Sequence, residues 1–339
     1  MEFLKTLRTL RTLRRVNAFM LLVIDKYIPF IKETVEQTAL PDWQNVQVLP
    51  LEPEEITPLA VRNADALMIR TRTKINRELL EGSRVRLVAT ATIGYDHIDQ
   101  DYCREAGITW LSCPGCNAQA VCDYIEEALL EQKTPLKSKK IGIVGVGHVG
   151  TLVAKMAERH GMQVLLNDPP RGIGVSLDEI AYNCDIITFH TPLTRDGQYP
   201  TYHLCDETFL AQCRPDALII NAARGGIVDE EALLRSHHPC IIDTWENEPR
   251  LNRDLLAFSR LASFHIAGYS VQGKYNASQT CLTAFAQQFG LSPLQIDKKA
   301  VTLQQKYGDS APGWLQRVSN SLKAQPDRFE QLRKQYKLR

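Results

Sequence analysis

The stretch Ile141-Gly-Ile-Val-Gly-Val-Gly-His-Val-Gly150 contains the pattern that decides the fold. An apolar run ends in glycines with the spacing G-x-G-x-x-G, at Gly145, Gly147 and Gly150, and apolar residues continue at helical spacing from Val149 to Ala157. This order predicts a strand, a tight turn and a helix. The first glycine allows the tight turn, the second lets a pyrophosphate approach the backbone, and the third lets the helix pack closely on the strand.

The ligand that such a turn favours is a dinucleotide. The amides and the dipole of the helix N-terminus, where His148 and Val149 lie, would face its phosphates. Asp168 ends the next predicted strand, eighteen residues past Gly150, where a carboxylate accepts hydrogen bonds from an adenosine ribose and repels a 2′-phosphate. The pattern therefore predicts a Rossmann domain that binds NAD. Because Arg171 lies nearby, NADP is an alternative cofactor. In a second alternative, the glycines serve packing alone and bind no dinucleotide.

Short apolar runs and helical segments alternate on both sides of this motif. Strands of a buried parallel sheet are nearly all apolar, and helices connect them. We therefore predict the α/β class with two parallel-sheet domains, a Rossmann NAD-binding domain and a flavodoxin-like substrate-binding domain. Besides the strand of the glycine motif, the expected strands are Leu21–Asp25, Val46–Leu49, Ala66–Ile69, Leu87–Thr90, Ile108–Leu111, Met162–Asn167, Asp185–His190, Ala217–Asn221, Cys240–Asp243 and Leu261–His265.

The domain boundaries follow from this alternation. Residues 20–112, with a returning helix at about 277–290, are expected to form the substrate-binding domain, and residues 113–276 are expected to form the Rossmann domain. A cleft between the two is expected to close around NAD and substrate. The basic, repetitive residues 1–19 are predicted to be a disordered leader or an upstream mis-start.

The overall charge balance points to no polyanionic partner. The 339 residues include forty Lys and Arg and thirty-nine Asp and Glu, a formal net charge of +1. The net charge therefore gives no reason to expect a nucleic acid or an anionic membrane as a partner. The C-terminal tail, residues 291–339, is basic, because residues 297–339 hold ten Lys or Arg and four Asp or Glu. Scattered lysines on a helix are more often a solvated face than a nucleic-acid site.

Cysteine usage and hydropathy predict a cytoplasmic protein without a membrane span. The nine cysteines are an odd number and scattered along the chain, which suits reduced thiols. The best apolar run, Ala18–Ile24, is seven residues long and ends at Asp25, whereas a membrane span needs about eighteen. We expect no metal, because the histidines lack metal-type spacing with carboxylates.

Three motifs follow predicted strands and carry ionisable groups. They are Asn221-Ala-Ala-Arg224, Asp243-Thr-Trp-Glu-Asn-Glu248 and Ser263-Phe-His265. Ligands of doubly wound sheets bind beyond the carboxyl ends of the strands, so these groups point to one crevice. Oxidation of an alcohol by hydride transfer needs a base for the hydroxyl proton, a charge that orients the base, and a cation for the developing oxyanion. His265, Glu248 and Arg224 fit these roles in turn.

These motifs, with the glycine turn upstream, resemble the D-isomer-specific 2-hydroxyacid dehydrogenase family over most of residues 20–290. The resemblance implies that Arg224 clamps the carboxylate and carbonyl of a 2-hydroxy acid, that Glu248 holds the imidazole, and that His265 is the proton donor. The substrate-contacting positions that it implies are Thr71, Thr92 and Tyr269. The NAD-contacting positions that it implies are Asp168, Thr191, Ala222, Ala223, Arg224, Asp243 and Gly268.

The identity of the hydroxy acid is less clear from the residues. Arg70, Arg72 and Lys74 at a strand end offer the positive charge that a phosphorylated four-carbon acid needs, and ordinary surface charge is the alternative. Phosphoglycerate, glyoxylate or an unphosphorylated acid are rival substrates, and an NAD-sensing binding protein without turnover is a rival of another class. Similar enzymes often end in a larger dimerisation domain, whereas the tail here is short, which leaves a homodimer open.

Overall fold

The computed structural model describes residues 19–133, 135–298 and 312–338. These residues divide into two compact units, each built around its own sheet. Unit 1 consists of residues within 1–116 and 271–306, and unit 2 consists of residues within 117–270 and 307–339. The predicted leader lies, apart from Phe19, outside the described residues.

The strands of both sheets lie where the apolar runs predict them, with one addition. In chain order they are β1 (Met20–Asp25), β2 (Val46–Leu51), β3 (Ala66–Ile69), β4 (Leu87–Thr90), β5 (Thr109–Leu111), β6 (Lys140–Val144), β7 (Gln163–Asp168), β8 (Ile173–Gly174), β9 (Ile186–Phe189), β10 (Leu218–Asn221), β11 (Cys240–Ile242) and β12 (Leu261–Ala262).

Helices connect these strands. They are α1 (Ile31–Gln37), α2 (Pro58–Val61), α3 (Arg77–Leu80), α4 (Gln100–Glu105), α5 (Ala118–Glu131), α6 (His148–Arg159), α7 (Leu177–Asn183), α8 (Glu207–Gln212), α9 (Glu230–Ser236), α10 (Arg253–Phe258), α11 (Val271–Phe289), α12 (Trp314–Ala324) and α13 (Phe329–Gln335). Short 3-10 turns occur at Pro41–Trp43, Pro53–Glu55, Pro169–Arg171 and Pro326–Arg328. The returning helix α11 belongs to unit 1 and begins at Val271 rather than near residue 277.

Side-chain caps start several helices. Ser176 Oγ accepts a hydrogen bond from Glu179 N at 3.1 Å, and the Glu179 carboxylate accepts one from Ser176 N at 3.0 Å, and this reciprocal pair is a capping box. Asp206, Asp229 and Asn252 cap α8, α9 and α10 through backbone amides three residues on. The caps fix where each helix begins and therefore how much loop follows each strand.

Unit 1 contains a fully parallel five-stranded sheet. Its strand order is β2-β1-β3-β4-β5, and every residue of the inner strands β3 and β4 is buried. Burial on both faces explains why these strands read as continuous apolar runs. The predicted α/β class with parallel sheets is confirmed.

Unit 2 contains the sheet that positions the glycine turn. Its strand order is β12-β11-β10-β9-β6-β7-β8. The chain leaves β6 for β7 on one side and returns on the other side as β9, which pairs with β6. The order therefore reverses between β6 and β9, and ligands bind at such a switch point. The glycine turn follows β6 and Thr191 follows β9, so both lie at this point.

Strand β8 is an addition that the sequence does not reveal. It pairs antiparallel with β7, with Gly174 opposite Asn167. Gly174 has φ 87°, and a Cβ there would lie 1.8 Å from Leu166 O, so only glycine fits this close approach. Two residues are too short to produce a hydrophobic period, which is why the pattern missed the strand.

The C-terminal helices differ from the solvated basic tail that the sequence led us to expect. Their apolar side packs into the core of unit 2, where Leu315, Leu322 and Phe329 are fully buried. Ser319 Oγ accepts a hydrogen bond from Ala262 N at 3.0 Å, so α12 also covers the edge strand β12. Arg317, Arg328 and Lys334 of this segment are exposed, whereas Lys323 and Arg333 are partly buried. None of the helices described is both long and apolar enough to cross a membrane.

Leu322→Ala is expected to destabilise the protein by about 2–5 kcal/mol, because it opens a cavity in a closed core. The matched control is Leu130→Ala on α5, where the side chain is 49% exposed and the expected loss is within about 0.5 kcal/mol. Urea unfolding measures both. Equal losses in the two variants would contradict a C-terminal segment built into the core.

Candidate active site

The glycine turn after β6 is sterically closed on one side and open on the other. A Cβ on Gly150 would lie 2.0 Å from Gly145 O, and a Cβ on Gly145, whose φ is 92°, would lie 2.8 Å from Thr191 N. By contrast, a Cβ on Gly147 would meet no protein atom within 4 Å. The first and third glycines therefore permit packing inside the unit, and the second leaves its space to an approaching ligand.

Polar groups surround this turn in the way a bound dinucleotide requires. Asp168 at the end of β7 is 9% exposed, and its Oδ2 accepts a hydrogen bond from Val146 N at 2.8 Å; no described residue donates to Oδ1. The buried Oγ1 of Thr191 has no hydrogen-bond partner in the described part of the chain, and buried hydroxyls are normally bonded. Arg171 donates to the carbonyl of Val146. The orphan hydroxyl, the free carboxylate oxygen and the open Gly147 together fit a bound NAD.

The remaining predicted cofactor positions lie on the same end of the sheet. His148 and Val149 are the first residues of α6. Ala222 and Ala223 follow β10, and Ala223 N donates to Asn221 Oδ1 at 3.2 Å. Gly268 packs so tightly that an added Cβ would lie 2.1 Å from Asn117 Nδ2. Asn117 Oδ1 is another buried oxygen without a partner among the described residues.

His265 and Glu248 form a direct pair. His265 Nδ1 lies 2.8 Å from Glu248 Oε2 and 3.1 Å from Oε1, so it donates its proton to the carboxylate. Glu248 Oε1 also accepts a hydrogen bond from Trp245 N at 2.9 Å. The carboxylate therefore fixes the ring tautomer and leaves Nε2 as the nitrogen that can accept a proton.

The loop that carries His265 is built around Asp243. This carboxylate is 1% exposed and accepts hydrogen bonds from Ile266 N at 2.8 Å, from Ala267 N at 3.0 Å and from Ser263 Oγ at 2.6 Å. His265 N donates to Asp243 O at 2.9 Å, and His265 takes φ 60°. This structural role of Asp243 could not be read from the sequence, and its contact with the cofactor stays a prediction.

Arg224 lies in the neighbouring loop with its guanidinium largely unengaged. Its Nη1 donates to Ala223 O at 2.7 Å, which is the only hydrogen bond between the guanidinium and a described residue. Gly225 packs against the next loop so closely that a Cβ would lie 1.9 Å from Trp245 O. Because Trp245 N holds Glu248, this contact links the loops of Arg224 and the His265–Glu248 pair.

A second carboxyl lies behind the Glu248 loop. Glu230 at the start of α9 is 8% exposed, and its Oε1 accepts a hydrogen bond from Glu246 N at 2.7 Å. Burial raises the pKa of Glu230 to about 7, and the nearby carboxylates of Glu246 and Glu248 act in the same direction. Glu246 Oε1 in turn accepts from Tyr202 Oη at 2.9 Å and lies 3.0 Å from His203 Nε2. The sequence analysis did not identify this group of residues, because Glu230 has the position of an ordinary acidic residue in the first turn of a helix.

Unit 1 holds the predicted substrate residues Arg70 and Thr71. Arg70 Nε donates to Asp25 Oδ2 at 2.9 Å, and Asp25 is fully buried. The guanidinium also lies 4.9 Å from the ring centroid of Tyr27. Its two terminal nitrogens form no hydrogen bond with a described residue. Thr71 is exposed beside it. A buried carboxylate therefore holds a guanidinium at the end of β3 with two nitrogens available to an anion.

Thr92, after β4, belongs to a chain of hydrogen bonds. Thr92 Oγ1 donates to Gly94 O at 3.0 Å, Thr90 Oγ1 lies 2.7 Å from Thr92 Oγ1, and His97 Nε2 lies 3.1 Å from Thr90 Oγ1. Burial lowers the pKa of His97, so this ring is neutral at pH 7. The loops after β3 and β4 are joined by Ile75 N, which donates to His97 O at 2.8 Å. Thr92 therefore lies in the loop beside that of Arg70.

Tyr269 lies in the His265 loop of unit 2. Its hydroxyl accepts a hydrogen bond from Arg333 Nε at 3.0 Å, a residue of α13 that the sequence did not single out. Arg72 and Lys74 are exposed and form no ion pair with a described residue. No group of three or more His, Cys, Asp or Glu side chains in the described ranges is arranged to hold a metal ion.

Comparison with known proteins identifies what the chain resembles. The sequence model of the family described as D-isomer specific 2-hydroxyacid dehydrogenase, NAD binding domain, matches residues 121–267. An erythronate-4-phosphate dehydrogenase of Bacteroides fragilis is 43% identical over 94% of this chain and 97% of its own length. One of Cronobacter sakazakii is 41% identical over 82% of this chain and 75% of its own length.

Solved structures of other proteins have a fold similar to that of this chain. The NAD-bound 3-phosphoglycerate dehydrogenase of Entamoeba histolytica has a TM-score of 0.67 and 25% identity, over 83% of this chain and 99% of that one. A D-lactate dehydrogenase of Aquifex aeolicus, complexed with NAD and lactic acid, has a TM-score of 0.63 and 22% identity, over 80% of this chain and 96% of that one.

Alanine substitutions at the two kinds of glycine are expected to separate folding from cofactor binding. Gly150→Ala forces a Cβ into Gly145 O and is expected to cost about 1–3 kcal/mol of stability. Gly147→Ala meets no protein atom, so its unfolding free energy should stay within about 1 kcal/mol of the wild type while NAD binding weakens. Urea unfolding and NAD titration measure the two effects. If Gly147→Ala bound NAD as tightly as the wild type, the turn would not be part of the cofactor site.

Glu230→Gln is expected to reduce the pH dependence of stability. An unfolded Glu titrates near pH 4.3, and the folded pKa of about 7 means that the folded chain keeps a proton that the unfolded chain loses. The resulting stability is complete below the unfolded pKa and is lost as pH rises through the folded pKa. Gln keeps the neutral shape and the bond from Glu246 N.

The measurement for Glu230→Gln is urea unfolding between about pH 5 and pH 8. The wild type should lose more stability over this range than the variant. Glu231→Gln, a neighbouring exposed acid, is the matched control and should behave as the wild type does. If all three chains lose stability equally, Glu230 does not carry the proton.

Proposed function

Because this chain belongs to the erythronate-4-phosphate dehydrogenase group of the D-isomer-specific 2-hydroxyacid dehydrogenase family, we propose that it oxidises 4-phospho-D-erythronate to (R)-3-hydroxy-2-oxo-4-phosphooxybutanoate. The reaction uses NAD and belongs to pyridoxal 5′-phosphate biosynthesis. The observation that carries the proposal is the contact between His265 and Glu248 at the carboxyl end of the unit 2 sheet, 2.8 Å from nitrogen to oxygen.

His265 is the base in the direction of oxidation. Its Nδ1 proton is committed to Glu248, so Nε2 accepts the proton of the substrate's C2 hydroxyl. Glu248 stabilises the imidazolium that forms, as a carboxylate does when it orients a catalytic histidine. In the direction of reduction the same nitrogen returns the proton, which agrees with the role of proton donor that the family resemblance implies.

Arg224 holds the reacting end of the substrate. A guanidinium offers paired donors that match a carboxylate, and it stabilises the negative charge on the C2 oxygen as the proton leaves. One of its nitrogens is bound to Ala223 O, which orients the fork and leaves the other donors to the substrate.

The glycine turn and its neighbours are the residues proposed to hold NAD. Bound NAD would accept the hydride that leaves C2 of the substrate. Asp168 Oδ1 would accept hydrogen bonds from the adenosine ribose, and the amides at the start of α6 would donate to the pyrophosphate. The proposed contacts are Gly145, Gly147, His148, Val149, Gly150, Asp168, Thr191, Ala222, Ala223, Arg224, Asp243 and Gly268.

Arg70 is proposed to bind the substrate phosphate. Its Nε is fixed by the buried carboxylate of Asp25, and its terminal nitrogens suit two phosphate oxygens. Thr71 and Thr92 supply hydroxyls in the same and the adjacent loop, and Tyr269 is proposed as a further substrate contact.

The proposal also includes a cytoplasmic location and a homodimer. All nine cysteines are free thiols, which supports a reducing compartment, the cytoplasm. The proposal of a homodimer rests on the family resemblance alone, and light scattering of the purified chain tests it.

The experiment is a substrate panel followed by absorbance of reduced nicotinamide. With NAD in excess, 4-phospho-D-erythronate should exceed bare D-erythronate in kcat/KM by on the order of 100-fold, because the phosphate makes charge-assisted hydrogen bonds. Arg70→Met should remove most of this preference without changing turnover of the bare acid. His265→Asn is the control and should abolish turnover of both. Equal turnover of the two acids, or preference for phosphoglycerate or glyoxylate, would overturn the substrate assignment.

A further inference from the structure

The last described helix reaches the loop that carries the catalytic imidazole. On α13, Arg333 donates from Nε to Tyr269 Oη over 3.0 Å, and its guanidinium carbon lies 5.5 Å from the centre of the Tyr269 ring. The Arg333 side chain is 26% exposed. The contact spans sixty-four residues of sequence and lies wholly within unit 2.

Tyr269 is part of the same turn as His265. It stands four residues after the imidazole, and its N–H donates to Ile266 O at 2.8 Å. The amides of Ile266 and Ala267 are fixed by the buried carboxylate of Asp243. The backbone of Tyr269 is therefore already fixed within the His265 turn, and Arg333 contacts the phenol that this backbone carries.

The direction of the Arg333 bond determines what the phenol can do. A guanidinium only donates, so Tyr269 Oη accepts here, and the proton of the phenol is directed away from Arg333. A hydrogen bond from a cation polarises the hydroxyl and makes it a stronger donor to another acceptor. Glu330 forms an ion pair with this guanidinium, 3.7 Å from Nη1, and is 44% exposed. Water screens such an exposed pair, so it neutralises the guanidinium only in part.

Other contacts hold α13 in place without Arg333. Phe329 is fully buried. Tyr336 packs edge-on against Phe264, with ring centres 6.0 Å apart, and lies 6.4 Å from Trp314. Substitution of Arg333 should therefore leave the helix packed, and an effect on the reaction can be separated from an effect on the fold.

We propose that Arg333 is a positioning residue for substrate binding: it fixes the phenol of Tyr269 as a hydrogen-bond donor toward the anionic hydroxy acid. The C-terminal helix thereby contributes to substrate affinity. This inference rests on the proposed function and on Tyr269 as a substrate contact.

The test compares Arg333→Gln with Lys334→Gln, which removes the same charge from an exposed neighbour on the same helix. With 4-phospho-D-erythronate, Arg333→Gln should raise the substrate KM about tenfold, with kcat within about twofold and the KM for NAD unchanged. Lys334→Gln should match the wild type. Arg333→Lys should recover part of the loss, because it keeps the charge and not the fork.

A double-mutant cycle with Tyr269→Phe tests the route of the effect. If Arg333 acts through the phenol, Arg333→Gln should change the substrate KM little further in the Tyr269→Phe chain. An unchanged substrate KM in Arg333→Gln, or full additivity with Tyr269→Phe, overturns the inference while turnover by the wild type leaves the proposed function intact. If the wild type instead turns over another 2-hydroxy acid, the proposed substrate fails, and the same variants are compared on that acid.

Discussion

The buried carboxylate of Asp243 is the constraint on which the reactive loop depends. Its oxygens accept hydrogen bonds from Ser263 Oγ and from the amides of Ile266 and Ala267. A charge withdrawn from water in this way is tolerated only when it is fully bonded, so the loop has to keep both amides turned toward it. The turn that satisfies Asp243 gives His265 a positive φ and places its ring against Glu248. The pair of His265 and Glu248 is thus a consequence of how one structural carboxylate is satisfied.

The glycine turn on the cofactor side of unit 2 depends on close steric packing, whereas the His265 loop depends on a buried charge. Gly150 and Gly145 approach each other more closely than any side chain allows, and this contact brings α6 against the end of β6. The same turn exposes Gly147 and leaves the hydroxyl of Thr191 without a partner in the described chain. Polar groups that a folded chain leaves unsatisfied need an explanation, and a bound dinucleotide between β6 and β9 provides one.

Three guanidinium groups recur in the proposed chemistry, and each is held in the same manner. Arg224 is bound through one nitrogen to Ala223 O, Arg70 through Nε to Asp25, and Arg333 through Nε to Tyr269. A single fixed bond orients the planar fork and lowers the entropy that further bonds would cost. Within unit 2, the carboxyl groups of Glu248 and Glu230 accept hydrogen bonds from Trp245 N and Glu246 N, and burial raises the pKa of Glu230 to about 7. In the proposed chemistry the guanidinium groups act on the substrate, directly or through Tyr269, whereas these carboxyl groups hold the protein's own loops.

The sequence by itself determined where the strands lie along the chain and where the glycine turn lies, because these follow from residues a few positions apart. It also marked Arg224, Glu248 and His265, since parallel strands bring their following loops to one edge. It did not reveal that Asp243 organises the His265 loop, that Glu230 is buried beneath it, or that Arg333 reaches Tyr269. These contacts join residues separated by 16 to 64 positions, and they exist only when sheets and helices pack in one register. Burial and partner choice at that range depend on the assembled core, which no local period or motif records.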